Sequence, residues 1–136
     1  MTNTELLNKA AEAAKAAYNP YSGFSVGAAL LCDDGSVFTG CNIENASYSV
    51  TVCAERVALF SAVAAGHRSF CKIAVAGGKD GDFTSPCPPC GVCRQALAEF
   101  FDKDTPVILA DGKGGTQVYT MDELLPMSFS GRNMEE

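Results

Sequence analysis

Cys71-Lys72-Ile73-Ala74-Val75-Ala76 is a short apolar run of strand type, and the turn-rich stretch Gly77 to Pro89 leads from it into a helix pattern over Gly91 to Phe101. Pro106 to Ala110 then reads as another strand. Upstream, Val52 to Ala65 is rich in Ala and Leu and closes at Gly66, where a C-terminal cap is expected, so a second helix starts near Cys53. Further upstream, Ser25 to Cys32 and Ser36 to Gly40 are β-rich and joined by Asp33-Asp34-Gly35, which predicts an antiparallel hairpin followed by a loop through Asn42 to Tyr48. At the N-terminus, Thr2 and Glu5 have capping-box spacing. Leu6, Leu7, Ala10, Ala13, Ala14 and Ala17 share one face before Asn19 and Pro20, predicting a helix over about 2–18. Downstream, Asp111 to Gly115 is a turn, Gln117 to Thr120 a last strand, and Met121 to Leu125 a short helix ended by Pro126. Strands interleaved with helices predict an α/β fold, a three-layer α/β/α sandwich around one mixed five-stranded sheet. No repeat, charge run or long linker divides the sequence, so a single domain is expected over residues 1–136.

The composition narrows the function. Sixteen acidic against ten basic residues give a net charge of −6, with no Lys/Arg cluster, which disfavours a polynucleotide-binding footprint. Apolar stretches such as Val26 to Leu31 fall far short of the roughly 20 residues a membrane helix needs, and Met1 to Lys9 lacks a basic-then-apolar signal pattern. A soluble, cytoplasmic protein without membrane partners is expected. Seven cysteines are many for such a chain, and an odd count cannot pair completely within it. Reduced thiols, some holding metal, are the better reading.

Cys90-Gly91-Val92-Cys93 places two thiols two residues apart at a turn into a helix, where both can face one tetrahedral ion. Cys53 also stands at an expected helix start, where backbone N–H groups and the helix dipole favour a thiolate. Residues two apart point to opposite sides in mid-helix, so Cys53 and Glu55 share a site only if the helix begins right there. Val50, Thr51 and Val52 favour extended backbone just upstream and permit that start. Three protein ligands leave the fourth zinc position open, the mark of a catalytic site. Arg56, next to the motif, can donate to the thiolates and offset their charge, or be an exposed helix arginine. Cys87-Pro88-Pro89-Cys90 overlaps the pair and leaves open a thiol-redox motif or a four-cysteine structural zinc site. Cys32, Cys41 and Cys71 read as small core residues, and His67 as a surface loop residue. On the residues alone, Phe24 reads as core and Glu44 as a solvated carboxylate.

Cys53-Ala54-Glu55 followed by Pro89-Cys90-Gly91-Val92-Cys93-Arg94-Gln95 resembles the zinc signature of the cytidine deaminase family in its three-cysteine form. Tyr18-Asn19-Pro20-Tyr21-Ser22, Phe24 to Leu30, Gly40 to Tyr48 and Glu123-Leu124-Leu125-Pro126 are also similar, in order and spacing, to segments of its small homotetrameric members. Two stretches depart from the pattern: Cys87, just before the usual pair, and the tail Gly131 to Glu136. The Pro89 to Gln95 context selects Cys90 and Cys93 as the zinc-binding pair.

The resemblance implies one Zn²⁺ per chain on Cys53, Cys90 and Cys93. It implies that Glu55 carries protons from the attacking water to N3 and the amino group of the pyrimidine, with Arg56 compensating the thiolate charge. It also implies that Phe24 packs on the base, that Asn42 and Glu44 bind the ribose, and that Ala54 contacts substrate. Tyr48 and Phe129 would meet the active site of a neighbouring subunit in a homotetramer. The activity implied is deamination of cytidine and 2′-deoxycytidine to the uracil nucleosides, in pyrimidine salvage. Two other readings remain: a deaminase of another cytosine nucleoside, such as the related blasticidin S deaminases, and a structural-zinc or thiol-redox module.

Overall fold

In the computed structural model the described residues are 1–134; Glu135 and Glu136, counted in the domain expected over 1–136, lie outside them. Thr2 caps the first helix: its hydroxyl accepts from the Glu5 N–H, and the Glu5 carboxylate accepts from the Thr2 N–H. This helix, α1, spans Asn3–Ala14 and is shorter than expected. Tyr18 is drawn out of the helical path because it bridges to Ile43, with its N–H on the Asn42 carbonyl and its carbonyl accepting from the Glu44 N–H.

Two strands follow, β1 (Ser25–Cys32) and β2 (Val37–Cys41), paired as the expected antiparallel hairpin. A single 3₁₀ turn at Tyr48–Val50 interrupts the stretch expected to be extended before Cys53. Only Val52 pairs as a strand residue there, with Ile43. Then come α2 (Ala54–Ala64), β3 (Phe70–Gly78), α3 (Gly91–Phe100), β4 (Pro106–Ala110), β5 (Thr116–Thr120) and the short α4 (Met121–Leu124). The sheet order is β2-β1-β3-β4-β5, with β3 and β4 parallel and every other pair antiparallel. It is the mixed five-stranded sheet that the alternation of elements implied.

Side chains alternate across this sheet with period two, so each central strand feeds two cores. Ala28, Leu30 and Cys32 of β1, Ile73 and Val75 of β3, and Val107 and Leu109 of β4 pack with α2 and Leu97 of α3. Ala29, Ala74, Ala76 and Ile108 face the other way and pack with Leu6 and Ala10 of α1. Gly27 lets α1 lie against β1, since a Cβ there would run into the Ala10 carbonyl. Gly40 does the same for α2 on β2, where a Cβ would come within 2.5 Å of the Ala54 carbonyl oxygen and 2.6 Å of the Ala58 nitrogen. The close seat of α2 fixes the position of its first turn. Among the described residues no helix is long and apolar enough to cross a membrane.

Candidate active site

The first turns of α2 and α3 meet. Cys53 is the N-cap of α2, with extended backbone (φ −76°, ψ 155°), and Cys90 is the N-cap of α3 (φ −68°, ψ 168°). Cys90 Sγ accepts from the Cys93 N–H at 3.5 Å, so a thiol takes the role a hydroxyl or carboxylate usually plays at a helix start. Cys53 makes no such cap bond, which leaves its sulfur free to face the other helix. The Sγ atoms of Cys53, Cys90 and Cys93 lie within 4.8 Å of one another, and those of Cys53 and Cys90 are 3.7 Å apart. Two sulfurs on one tetrahedral zinc ion, each at 2.3 Å, are separated by about 3.8 Å. One pair of soft donors at that spacing and a third within 4.8 Å of both, with Cys93 buried and Cys90 exposed, fit a zinc ion reached from solvent.

Because Cys53 is not yet helical, Glu55 two residues on stands beside the cluster. The residue is only 3% exposed, and Oε1 has no hydrogen-bond partner. Burial pushes its pKa up to about 7. A buried, unsatisfied carboxyl costs stability and is retained where it has work to do on a ligand. The Arg56 guanidinium reaches back to Cys53 Sγ (3.7 Å) and to the Thr51 carbonyl (3.5 Å). A hydrogen bond from Cys93 and the Arg56 charge bring the Cys53 pKa down to about 5, against the opposing effect of burial. Cys93, donor of that bond and buried, is pushed up.

Cys87 lies outside the group of three. Its half-buried thiol packs toward Gly77 and Phe24, where a Cβ on Gly77 would come 2.5 Å from Cys87 Sγ and 3.1 Å from a Phe24 ring carbon. Burial pushes its pKa up to about 11, so it is no ready nucleophile. Phe24 itself is partly exposed beside that contact rather than core.

Asn42 is buried and clamps the start of β1: its Oδ1 accepts from the Val26 N–H and its Nδ2 donates to the Phe24 carbonyl, both at 2.9 Å. Glu44 accepts from the Ser22 hydroxyl and from the backbone N–H groups of Tyr21 and Ser22, which hold its carboxyl below the usual carboxylate range. Tyr21, Ser22, Glu44, Tyr48 and Thr51 line a depression of about 380 Å³ that includes none of the three cysteines. Ala54 is fully buried, while Tyr48 and Phe129 are 74% and 63% exposed.

The sequence reading gave no role to Arg94. Its Nε donates to the Pro89 carbonyl (2.8 Å) and its Nη1 to the Leu124 carbonyl (2.7 Å), tying the residue before Cys90 to α4. An arginine directly after the second thiol of the pair was the available signal. Cys71 is exposed, not core, and its sulfur faces Asp33 Oδ1 at 3.3 Å. His67 lies in the loop between α2 and β3, as expected, but is only partly exposed: it packs on Phe38 and lies beside Asp34.

Fold and cluster together define an α/β protein with a three-cysteine cluster, able to hold a metal ion, beside a buried carboxyl. Residues 1–109 match the cytidine and deoxycytidylate deaminase zinc-binding region. The chain belongs to that family. It is 48% identical to the cytidine deaminase of Halalkalibacterium halodurans over 136 residues, all of both chains. It is 47% identical to that of Sporosarcina psychrophila over 96% of this chain and 93% of the relative. The crystal structure of cytidine deaminase from Burkholderia pseudomallei superposes with a TM-score of 0.86 at 47% identity, covering 95% of this chain and all of the other.

Proposed function

We propose that the protein catalyses the hydrolytic deamination of cytidine and 2′-deoxycytidine: nucleoside and water give the uracil nucleoside and ammonia. The observation that carries this reading is the buried Glu55 carboxyl, whose Oε1 has no hydrogen-bond partner, beside three convergent thiols. A structural zinc site or a thiol-redox pair has no use for such a group.

One zinc ion per chain, held by Cys53, Cys90 and Cys93, supplies Lewis acidity toward water in this scheme. Glu55 takes a proton from the attacking water and delivers it to N3 of the pyrimidine as C4 is attacked. It then carries the second proton to the amino group, which leaves as ammonia. A carboxyl whose pKa lies near 7 can accept and return a proton at neutral pH. Arg56 holds the Cys53 thiolate through its guanidinium and offsets the negative charge of the sulfurs. Phe24 packs on the base, Ala54 adds a substrate contact, and Asn42 and Glu44 bind the ribose; a carboxylate at Glu44 repels phosphate, which favours nucleosides over nucleotides and polynucleotides. Tyr48 and Phe129, both exposed in the chain, complete the pocket of a neighbouring subunit in a homotetramer. The activity suits a cytoplasmic salvage enzyme for free pyrimidine nucleosides.

The test is incubation of the purified protein with cytidine, deoxycytidine, CMP and blasticidin S, following ultraviolet absorbance and ammonia, with zinc measured per chain. Conversion of the two nucleosides with little turnover of CMP supports the reading. Preference for blasticidin S would move it to that related class, and no ammonia from any substrate would overturn it.

A further inference from the structure

At the C-terminal end of α2, away from Cys53, a second set of ligand atoms converges. Cys32 ends β1, Asp34 lies in the β1–β2 turn and His67 follows α2; one ligand atom of each lies within 4.8 Å of the other two. The backbone holds each in place. Gly66 (φ +100°) ends α2 with the His67 N–H on the Ala62 carbonyl and its own N–H on the Val63 carbonyl, both at 3.0 Å, a Schellman cap. Asp34 Oδ1 is occupied by the Ser36 N–H at 2.9 Å, while Oδ2 lies 3.7 Å from His67 Nδ1. The Cys32 N–H bonds the Ser36 carbonyl at 2.8 Å, and the β1–β3 register slips between Leu31 and Cys32.

The imidazole and carboxylate are too far apart for a hydrogen bond. Nitrogen and oxygen ligands on one tetrahedral zinc ion stand about 3.3 Å apart, so a shift of a few tenths of an ångström would bring His67 and Asp34 to that spacing, with the Cys32 sulfur closing in from within 4.8 Å. The donors graduate from inside outward: Cys32 is 1% exposed, and the His67 and Asp34 side chains are 22% and 60% exposed. An ion there would be held from below by sulfur and remain open toward solvent on the Asp34 side. Sulfur with imidazole selects against the oxygen-seeking Ca²⁺ and Mg²⁺ and for the zinc class of divalent ions.

We propose that Cys32, Asp34 and His67 form a second site for a zinc-class divalent cation, separate from the Cys53 cluster. Binding releases the Cys32 thiol proton to solvent and changes no oxidation state. The ion ties the C-terminal turn of α2 to the β1–β2 hairpin, bracing the helix whose first turn carries Glu55.

To test it, protein carrying one zinc per chain is titrated with Co²⁺, measuring both metals per chain and the near-ultraviolet absorption of thiolate-to-cobalt charge transfer. The expected result is one further equivalent with that absorption and the original zinc retained. His67→Gln and Asp34→Asn, at exposed or half-exposed side chains, should each weaken the second equivalent by at least about tenfold. Cys71→Ser should leave it intact. Exchange of cobalt for zinc one for one, no uptake beyond one equivalent, uptake unchanged in His67→Gln, or loss in Cys71→Ser would each overturn the proposal.

Discussion

Cys53 and Cys90, 37 positions apart, are each the N-cap of a helix and bring their sulfurs to 3.7 Å. Neither sulfur is placed by a loop; both are set by where a helix begins. The metal analysis of single variants should follow this placement. Cys53→Ala, Cys90→Ala and Cys93→Ala should each lose zinc, and Cys87→Ala should keep it, because the Cys87 thiol stands outside the three. Zinc lost from the Cys87 variant but kept in the Cys90 variant would refute the assignment.

Glu55 contributes no sulfur to the cluster, so its replacement separates chemistry from assembly. Glu55→Gln should retain zinc and fold and lower kcat by a factor on the order of 10² or more. Removing a buried charge whose Oε1 has no hydrogen-bond partner should also leave the melting temperature unchanged or raise it. Turnover near that of the parent protein would remove the proton-carrying role.

Much of this site was legible because its signals are local. An Ala/Leu run closing at Gly66 placed the start of α2 near Cys53, its N-cap, and a turn-rich stretch ending at Pro89 placed the start of α3 at Gly91; the β-branched residues ahead of Cys53 only permitted that start, and Val50 lies in a 3₁₀ turn. What stayed hidden depends on partners distant in sequence. Helix α1 stops at Ala14 because Tyr18 bonds Asn42 and Glu44. The Asn42 amide bonds Phe24 and Val26, 18 and 16 positions away, and no pattern around residue 42 announces that. His67 and Asp34 meet only because the end of α2 lies over the hairpin turn. Residue spacing specifies caps and faces, whereas a contact between two loops requires the sheet order first.

Arg56 should act through Cys53. Its guanidinium, together with the Cys93 hydrogen bond, draws the Cys53 pKa down, so removing it raises that pKa. Arg56→Ala should therefore release zinc at a higher pH on acid titration, since protons compete more effectively for the thiolate. At neutral pH it should lose more activity than zinc. A superimposable zinc-release curve would show that the 3.7 Å contact does not set the charge on the sulfur.

Gly40 couples stability to the site. A Cβ at this position meets backbone atoms of Ala54 and Ala58, which no rotamer change can move aside. Gly40→Ala should push α2 off β2, costing about 1–3 kcal/mol in chemical denaturation. Activity should fall with it, because the displaced turn carries Glu55. Gly35→Ala, at φ +92° with open space around it, should cost stability through backbone strain alone and leave kcat unchanged. Equal kcat losses in the two variants would argue against a positional effect on α2.

Phe129 tests whether pockets are shared between subunits. The residue is 63% exposed, and its carbonyl accepts from Gln95 Nε2 at 2.8 Å, so the backbone carrying this exposed aromatic is anchored. An exposed aromatic with an anchored backbone suits a contact with another molecule. Phe129→Ala should leave zinc content and melting temperature near those of the parent, because little buried contact is lost within the chain. It should raise KM or lower kcat by opening a wall of the neighbour's pocket to water. Mixing Phe129→Ala chains with Glu55→Ala chains under subunit exchange should then restore activity at sites that take Glu55 from one chain and Phe129 from the other. No restoration after exchange verified by mass spectrometry would confine Phe129 to its own subunit and exclude the shared pocket.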